Sequence, residues 1–272
     1  MMKDEATILP AYKAPKARSL MEPHRLFLMA LFLIGIACAI VFMRWDWLPK
    51  YQDRLIAGVW QTLVLLVTTS FFGFLLAVLL GLVQVTGPRP LAWLANGFCT
   101  IIRGTPLLLQ LWLLYYGLGS LFAQFPEIRS SFMWPYLRQA WPYGFTALML
   151  SFAAYEGEVM RGAFAGVPKG ELEAGRAFGM GRFTLFRRIW LPRAVQRSLP
   201  ILNGETVLQL KSTPLVATIT VMDTYSVISK VRQDTFLTYE PLLLLALIYL
   251  VLTGILVAIF RFFENRIPSR VT

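Results

Sequence analysis

The chain has 272 residues, of which 57% are hydrophobic and only 15% charged, yet its net charge is +11. Soluble domains carry about 25% charged residues, so a soluble globular domain is excluded, and a chain both apolar and basic points to membrane or nucleic acid. The long apolar runs decide for membrane and against nucleic acid. Cys38 and Cys99 both sit in apolar stretches without Cys-x-x-Cys spacing, and the single histidine, His24, stands apart from them. No zinc, haem or other cofactor site is expected from that set.

A span needs about 20 mostly apolar residues, because the hydrocarbon layer is about 30 Å thick. Residues 1–25 are polar and carry Pro10, Pro15 and Pro23. They read as a cytoplasmic leader, not a cleavable signal peptide, since no small-residue cleavage site follows the next apolar run. Six candidate spans come next: 26–43, 55–85, 91–122, 143–160, 198–222 and 241–260. The second is long enough to tilt or to reach past the bilayer. The third is interrupted by Arg103-Gly104-Thr105-Pro106, and the fifth is the least hydrophobic. Trp134, Trp141 and Tyr143 flank the fourth where amphipathic rings favour the headgroup layer.

Orientation follows from the Lys and Arg residues, because positive loops stay inside. With the N-terminus inside, seventeen of the 26 basic residues fall on inner segments and seven on outer ones, leaving Arg103 and Lys211 within spans. The chain is therefore read as an all-α, multi-pass integral membrane protein with both ends in the cytoplasm. No segment shows the ten-residue alternation of a barrel strand.

The longest inner loop, 166–197, opens on a Pro168-Lys169-Gly170 turn. Residues 171–178 can form a short helix with Glu171 and Glu173 at its N-terminal end, where the helix dipole favours acids. Gly179 and Gly181 break it, and a second helical piece, 183–190, is expected to end before Leu191-Pro192. By charge alone, this loop could simply lie on anionic lipid.

Its residue pattern says more. Glu173, Ala174, Gly179, Ile189, Leu191 and Pro192 fall at the spacings of the Glu-Ala-Ala signature of ABC importer permeases. Gly175 replaces the usual second alanine, a change that loosens a helix by about 1 kcal/mol but keeps the position small. Arg103-Gly104-Thr105-Pro106 with Gln110, the 154–162 segment, and Glu205 with Lys211-Ser212-Thr213 are similar to segments of the polar amino acid branch. That branch includes permeases for histidine, lysine, arginine, glutamine and opines. The resemblance runs from about residue 55 to the C-terminus. It implies a type I importer core of five spans over 55–265, to which this chain adds an extra helix at 26–43.

The resemblance also implies partners. A cytoplasmic ATP-binding subunit dimer would receive the signature loop, a second permease subunit (identical or homologous) would complete the path, and a periplasmic or lipid-anchored binding protein would deliver solute at the bacterial inner membrane. The chain itself has no Gly-x-x-x-x-Gly-Lys-Ser/Thr phosphate loop. An intramembrane enzyme or a passive channel or scaffold are the competing readings. An enzyme needs a nucleophile or metal with an acid–base partner, and the spans supply no such set.

Charged residues at membrane depth are costly and mark candidate functional sites. Glu158 matches a glutamate of the family segment and is a candidate contact for a cationic group of the solute, or else a structural partner of Arg161 or of Arg103 on a neighbouring helix. Glu156 lies about 200° around the helix from it, so the two cannot share one face. Arg103 precedes the Gly-Thr-Pro break and is the second substrate candidate. Lys211 sits within the weak fifth span.

Overall fold

A computed structural model describes residues 23–266. Among them every regular element is helical. The chain divides after Asp46 into two units. The first holds α1 (Pro23–Phe42), an apolar helix without acids in its first turn or bases in its last. Proline at its first position has the backbone angle a helix start requires. The expected 1–25 leader lies outside the described residues, apart from the three positions that open α1.

The second unit opens with α2 (Leu48–Thr86), a single helix of 39 residues. It begins seven residues before the expected span. Those two added turns are amphipathic: Tyr51 and Leu55 are buried while Lys50, Asp53 and Arg54 are exposed. At about 1.5 Å per residue the helix is roughly twice as long as the hydrocarbon layer is thick.

The expected interruption of the third apolar region is a sharp corner. α3 (Arg89–Gly104) ends at Thr105, which is extended because a residue before proline is driven out of the α region. α4 (Leu107–Trp112) leaves at 103° to it and continues through a wide π turn (Leu113–Leu118) into α5 (Gly119–Phe122). Such a corner frees backbone carbonyls that need partners inside a membrane. The Gln110 amide supplies them, donating to Ile102 O at 2.7 Å, Thr105 O at 3.1 Å and Thr105 Oγ1 at 2.8 Å. Two single turns, α6 (Pro126–Arg129) and α7 (Trp134–Leu137), lead to α8 (Trp141–Ala165).

α9 (Lys169–Ala177) and α10 (Arg182–Leu185) form the inner-loop pieces. α11 (Leu191–Ser212) follows, then a 3₁₀ turn (Thr213–Ile219), α12 (Thr224–Thr235) and α13 (Tyr239–Arg266). The expected continuous span 198–222 is thus corrected: helix gives way to a 3₁₀ turn at Thr213-Pro214, since proline cannot donate to the preceding turn. Among the described residues, α2 and α13 are long and apolar enough to cross a membrane, and the bent α3–α5 run makes a third.

α2 and α8 form the centre of the second unit. Between apolar helices in lipid, close backbone approach replaces the hydrophobic driving force. Gly73, Ala77 and Gly81, each four residues apart, give α2 a small-residue stripe. A Cβ on Gly73 would meet Phe152 Cδ1 at 2.8 Å, and one on Gly81 would meet Arg161 N at 2.8 Å. Buried polar bonds tie the remaining helices on. Thr62 and Thr224 hydroxyls meet at 2.8 Å, and the Gln209 amide donates to Thr69 Oγ1 at 2.9 Å and Leu148 O at 3.1 Å. Each such bond contributes about 0.6 kcal/mol on average in a membrane.

Candidate functional site

The inner loop is built on one glycine geometry. Gly179 has φ of 76°, a left-handed conformation that L side chains rarely adopt. It closes α9 in a complete Schellman cap: Gly179 N–H donates to Arg176 O at 2.9 Å, and Met180 N–H to Gly175 O at 3.1 Å. The chain then turns back, and α10 packs against α9. Gly175 is the contact point. A Cβ there would lie 2.5 Å from Leu185 Cδ1 and 2.9 Å from Ile189 Cδ1. The departure from alanine is therefore matched by the side chains opposite it.

The second piece does not end before Leu191-Pro192 as expected. It runs through a π turn (Phe186–Trp190) straight into α11. Proline lacks an N–H and clashes with the carbonyl four residues back. The π turn widens the helix there, with Leu191 N–H donating to Phe186 O, five residues back. The second half of the loop is consequently continuous with α11. Trp190 Nε1 donates to Phe164 O of α8 at 3.0 Å, and Arg193 Nε to Glu171 Oε2 at 2.8 Å. Leu191 packs beside Met160, Phe164 and Ala194, a cluster that reaches Ala77 of α2.

Of the signature residues, Ala174, Gly175, Ile189 and Pro192 line one cleft of about 510 Å³. Glu173 and Gly179 are exposed at its side and end. Phe178 is 86% exposed and Phe183 73% exposed, next to exposed Arg182, Arg187 and Arg188. Aromatic and arginine side chains presented together are characteristic of protein interfaces.

The two substrate candidates meet each other. Arg103 Nη1 lies 3.7 Å from Glu158 Oε2, and Arg161 Nη2 lies 3.0 Å from the same oxygen. Glu158 Oε1 is buried without a hydrogen-bond partner. The Arg103 guanidinium also stands 5.7 Å from the centre of the Tyr155 ring. Tyr155 in turn lines a cavity of about 250 Å³ with Ser151, Glu205, Gln209 and Ser212. Tyr155, which faces Arg103 and lines the cavity, places the ion pair beside it. Glu156 points elsewhere than Glu158, as the 200° separation requires: it is wholly buried, and neither of its oxygens has a partner among the described residues. Lys211 is exposed in the last turn of α11. Glu205 and Ser212, from the family-like segments, share this cavity with Gln209, and none of the three was an expected solute contact. Their spacing of four and then three puts them on one helix face, and that polar stripe in a weakly apolar span was the available signal.

The family model for the binding-protein-dependent transport system inner membrane component matches residues 71–268. The chain belongs to this family. The octopine transport system permease protein OccM of Rhizobium radiobacter is 40% identical over 213 residues, covering 77% of this chain and 84% of that protein. The histidine/lysine/arginine/ornithine transport system permease protein HisM of Salmonella typhimurium is 33% identical over 221 residues, covering 81% and 91%. Among solved structures, an amino acid ABC transporter crystallised with histidines aligns with a TM-score of 0.68 at 28% identity, covering 83% of this chain and 99% of that one. This permease is a transport component, not an enzyme.

Proposed function

We propose that the chain is the membrane-spanning subunit of an ATP-driven importer for a basic amino acid or an opine at a bacterial inner membrane. In this reading six helical passes place both termini and the 166–197 loop inside. A cytoplasmic ATP-binding subunit dimer receives the loop, with Phe178 and Phe183 as apolar anchors and the arginines facing acids. A second permease subunit, identical or homologous, completes the path, and an extracytoplasmic binding protein delivers solute. The observation that carries the reading is the loop. It is continuous with α11 through the π turn and locked to α8 by Trp190, so a displacement of the loop moves the helices that line the polar cavity.

Arg103 and Glu158 act as a pair that solute exchanges. The solute's ammonium or guanidinium replaces Arg103 at Glu158, and the freed Arg103 takes the solute carboxylate. Glu158 Oε1, buried and unpartnered, supports this role because an idle acceptor at that depth is otherwise costly. Glu205 extends the negative lining for a second cationic group. The test is ATP hydrolysis by the reconstituted importer with its binding protein, screened over amino acids and opines. Stimulation by arginine-like solutes or opines is expected; a complex that assembles without an ATPase, or is indifferent to all of them, would sink the reading.

A further inference from the structure

A second cleft lies away from the cavity, where the start of α2 meets α12. It has a volume of about 470 Å³, within the range of small-ligand sites. Tyr51 and Arg54 of α2 form one wall, Ser229, Lys230 and Gln233 of α12 the other, and Thr218 lies in its floor. Its charge is unbalanced. Asp234, the acid bonded to these walls, is already occupied by Lys230 Nζ at 2.9 Å and the Tyr51 hydroxyl at 3.1 Å. The Arg54 guanidinium stands 5.9 Å from the Tyr51 ring centre, within cation–π range. Lys230 keeps two donors beyond the one it gives Asp234. Lys50 adds a third positive charge at the Tyr51 ring.

The cleft is also joined to the cavity. Trp112 Nε1 donates to Thr218 Oγ1 at 3.2 Å and the Tyr116 hydroxyl to Thr218 O at 3.1 Å, both from the bent run that begins after Arg103. The stretch from Glu205 to Thr218 lines the cavity at one end and the cleft at the other.

We infer that this cleft is a carboxylate-binding station for the solute, distinct from the cavity, in which Arg54 and Lys230 hold a carboxylate while Ser229 and Gln233 supply neutral hydrogen bonds. The inference takes from the importer reading only the nature of the solute. A carboxylate fits because it is planar, accepts two parallel N–H bonds from a guanidinium, and carries the charge the cleft lacks.

The test uses the complete importer in lipid nanodiscs, without nucleotide and without binding protein, titrated by calorimetry with L-arginine and with agmatine, the same molecule lacking the carboxylate. L-arginine should show two classes of site and agmatine one, the Glu158 site, held more weakly there because it offers Arg103 no carboxylate. Arg54→Gln and Lys230→Gln, both at exposed positions, should each weaken one L-arginine class by about tenfold or more and leave the agmatine isotherm unchanged. Arg54→Lys should restore part of the loss. L-arginine isotherms indifferent to both substitutions would overturn the station. If the substitutions instead impair only the response to the binding protein, the cleft receives an acidic protein side chain and the inference is likewise overturned. Loss of L-arginine binding at Arg54→Gln with no solute stimulating ATP hydrolysis would retain the station and remove the importer reading. Stimulation without any effect of Arg54 would do the reverse.

Discussion

The inner loop and the polar region around Arg103 solve opposite problems. In the loop, polar groups are satisfied locally: the Schellman cap takes up the end of α9, Glu171 has Arg193, and Gly175 is filled by Leu185 and Ile189. Around Arg103 the backbone is satisfied by Gln110, but the charges are not. One carboxylate is shared by two arginines, and its second oxygen is idle. A part that transmits movement gains from having one conformation. A part that handles a charged solute must keep acceptors and donors available to exchange.

Substitutions in the two regions should therefore fail differently. The largest effect is expected at Gly179. Gly179→Leu forces a side chain into a left-handed position, costing about 1–2 kcal/mol locally, and misaligns the whole loop. Transport should be abolished while the protein still inserts, as read by uptake together with membrane fractionation. Full transport by Gly179→Leu would break the comparison at its stronger side.

Glu158→Gln comes next. A charge-assisted hydrogen bond contributes roughly 1.5–3 kcal/mol, so uptake of cationic solutes should fall by about 10- to 150-fold, and uptake of neutral ones less. Measured alongside yield and melting, this separates exchange from scaffolding. A variant that loses stability and all transport together would make Glu158 only a clasp for Arg103 and Arg161. A well-folded variant with parental uptake of arginine, histidine and glutamine would remove it from the path.

Gln110→Leu should act on stability, because it strips three hydrogen bonds from the corner between α3 and α4. Leaving the half-buried Ile102 carbonyl unpaired in a bilayer or detergent costs up to about 1–3 kcal/mol, and detergent melting of the complex should drop accordingly. An unchanged melt would show that water already satisfies the corner.

The smallest effect is expected from pH at the far end of α2. The Lys230 hydrogen bond, with that of Tyr51, holds the Asp234 carboxyl below its ordinary value of 3.8. A depressed carboxylate stabilises the fold above the unfolded value and ceases to do so as pH falls through the folded one. Contact between α2 and α12 should therefore be insensitive to pH near neutrality and weaken below about pH 4. Hydrogen exchange of α12 across that range would show it, and Asp234→Asn should abolish the dependence.

Much of the loop was legible because its signals are local. The break expected at Gly179 is there, as a left-handed cap that closes α9. The stop expected at Pro192 was wrong for a reason no single residue reveals: the π turn that accommodates proline is held by Trp190 bonding to α8, a contact across 26 positions of sequence. The stripe Gly73, Ala77, Gly81 was not read from the sequence: small residues four apart are common in apolar runs, and only Phe152 and Arg161 opposite show why a side chain is excluded there.

By itself the sequence determined the environment, the all-helical class, the interruption at Thr105-Pro106 and the family, since each depends on composition, on near-neighbour sterics or on a fixed spacing. Tertiary structure decided which charges meet. Arg103 and Glu158 stand on separate helices, a pairing with either Arg103 or Arg161 was open from the sequence, and the packing of α3 against α8 brings both arginines to the one carboxylate. Electrostatic energy depends on distance through space, and no distance between separate helices is written in the order of residues.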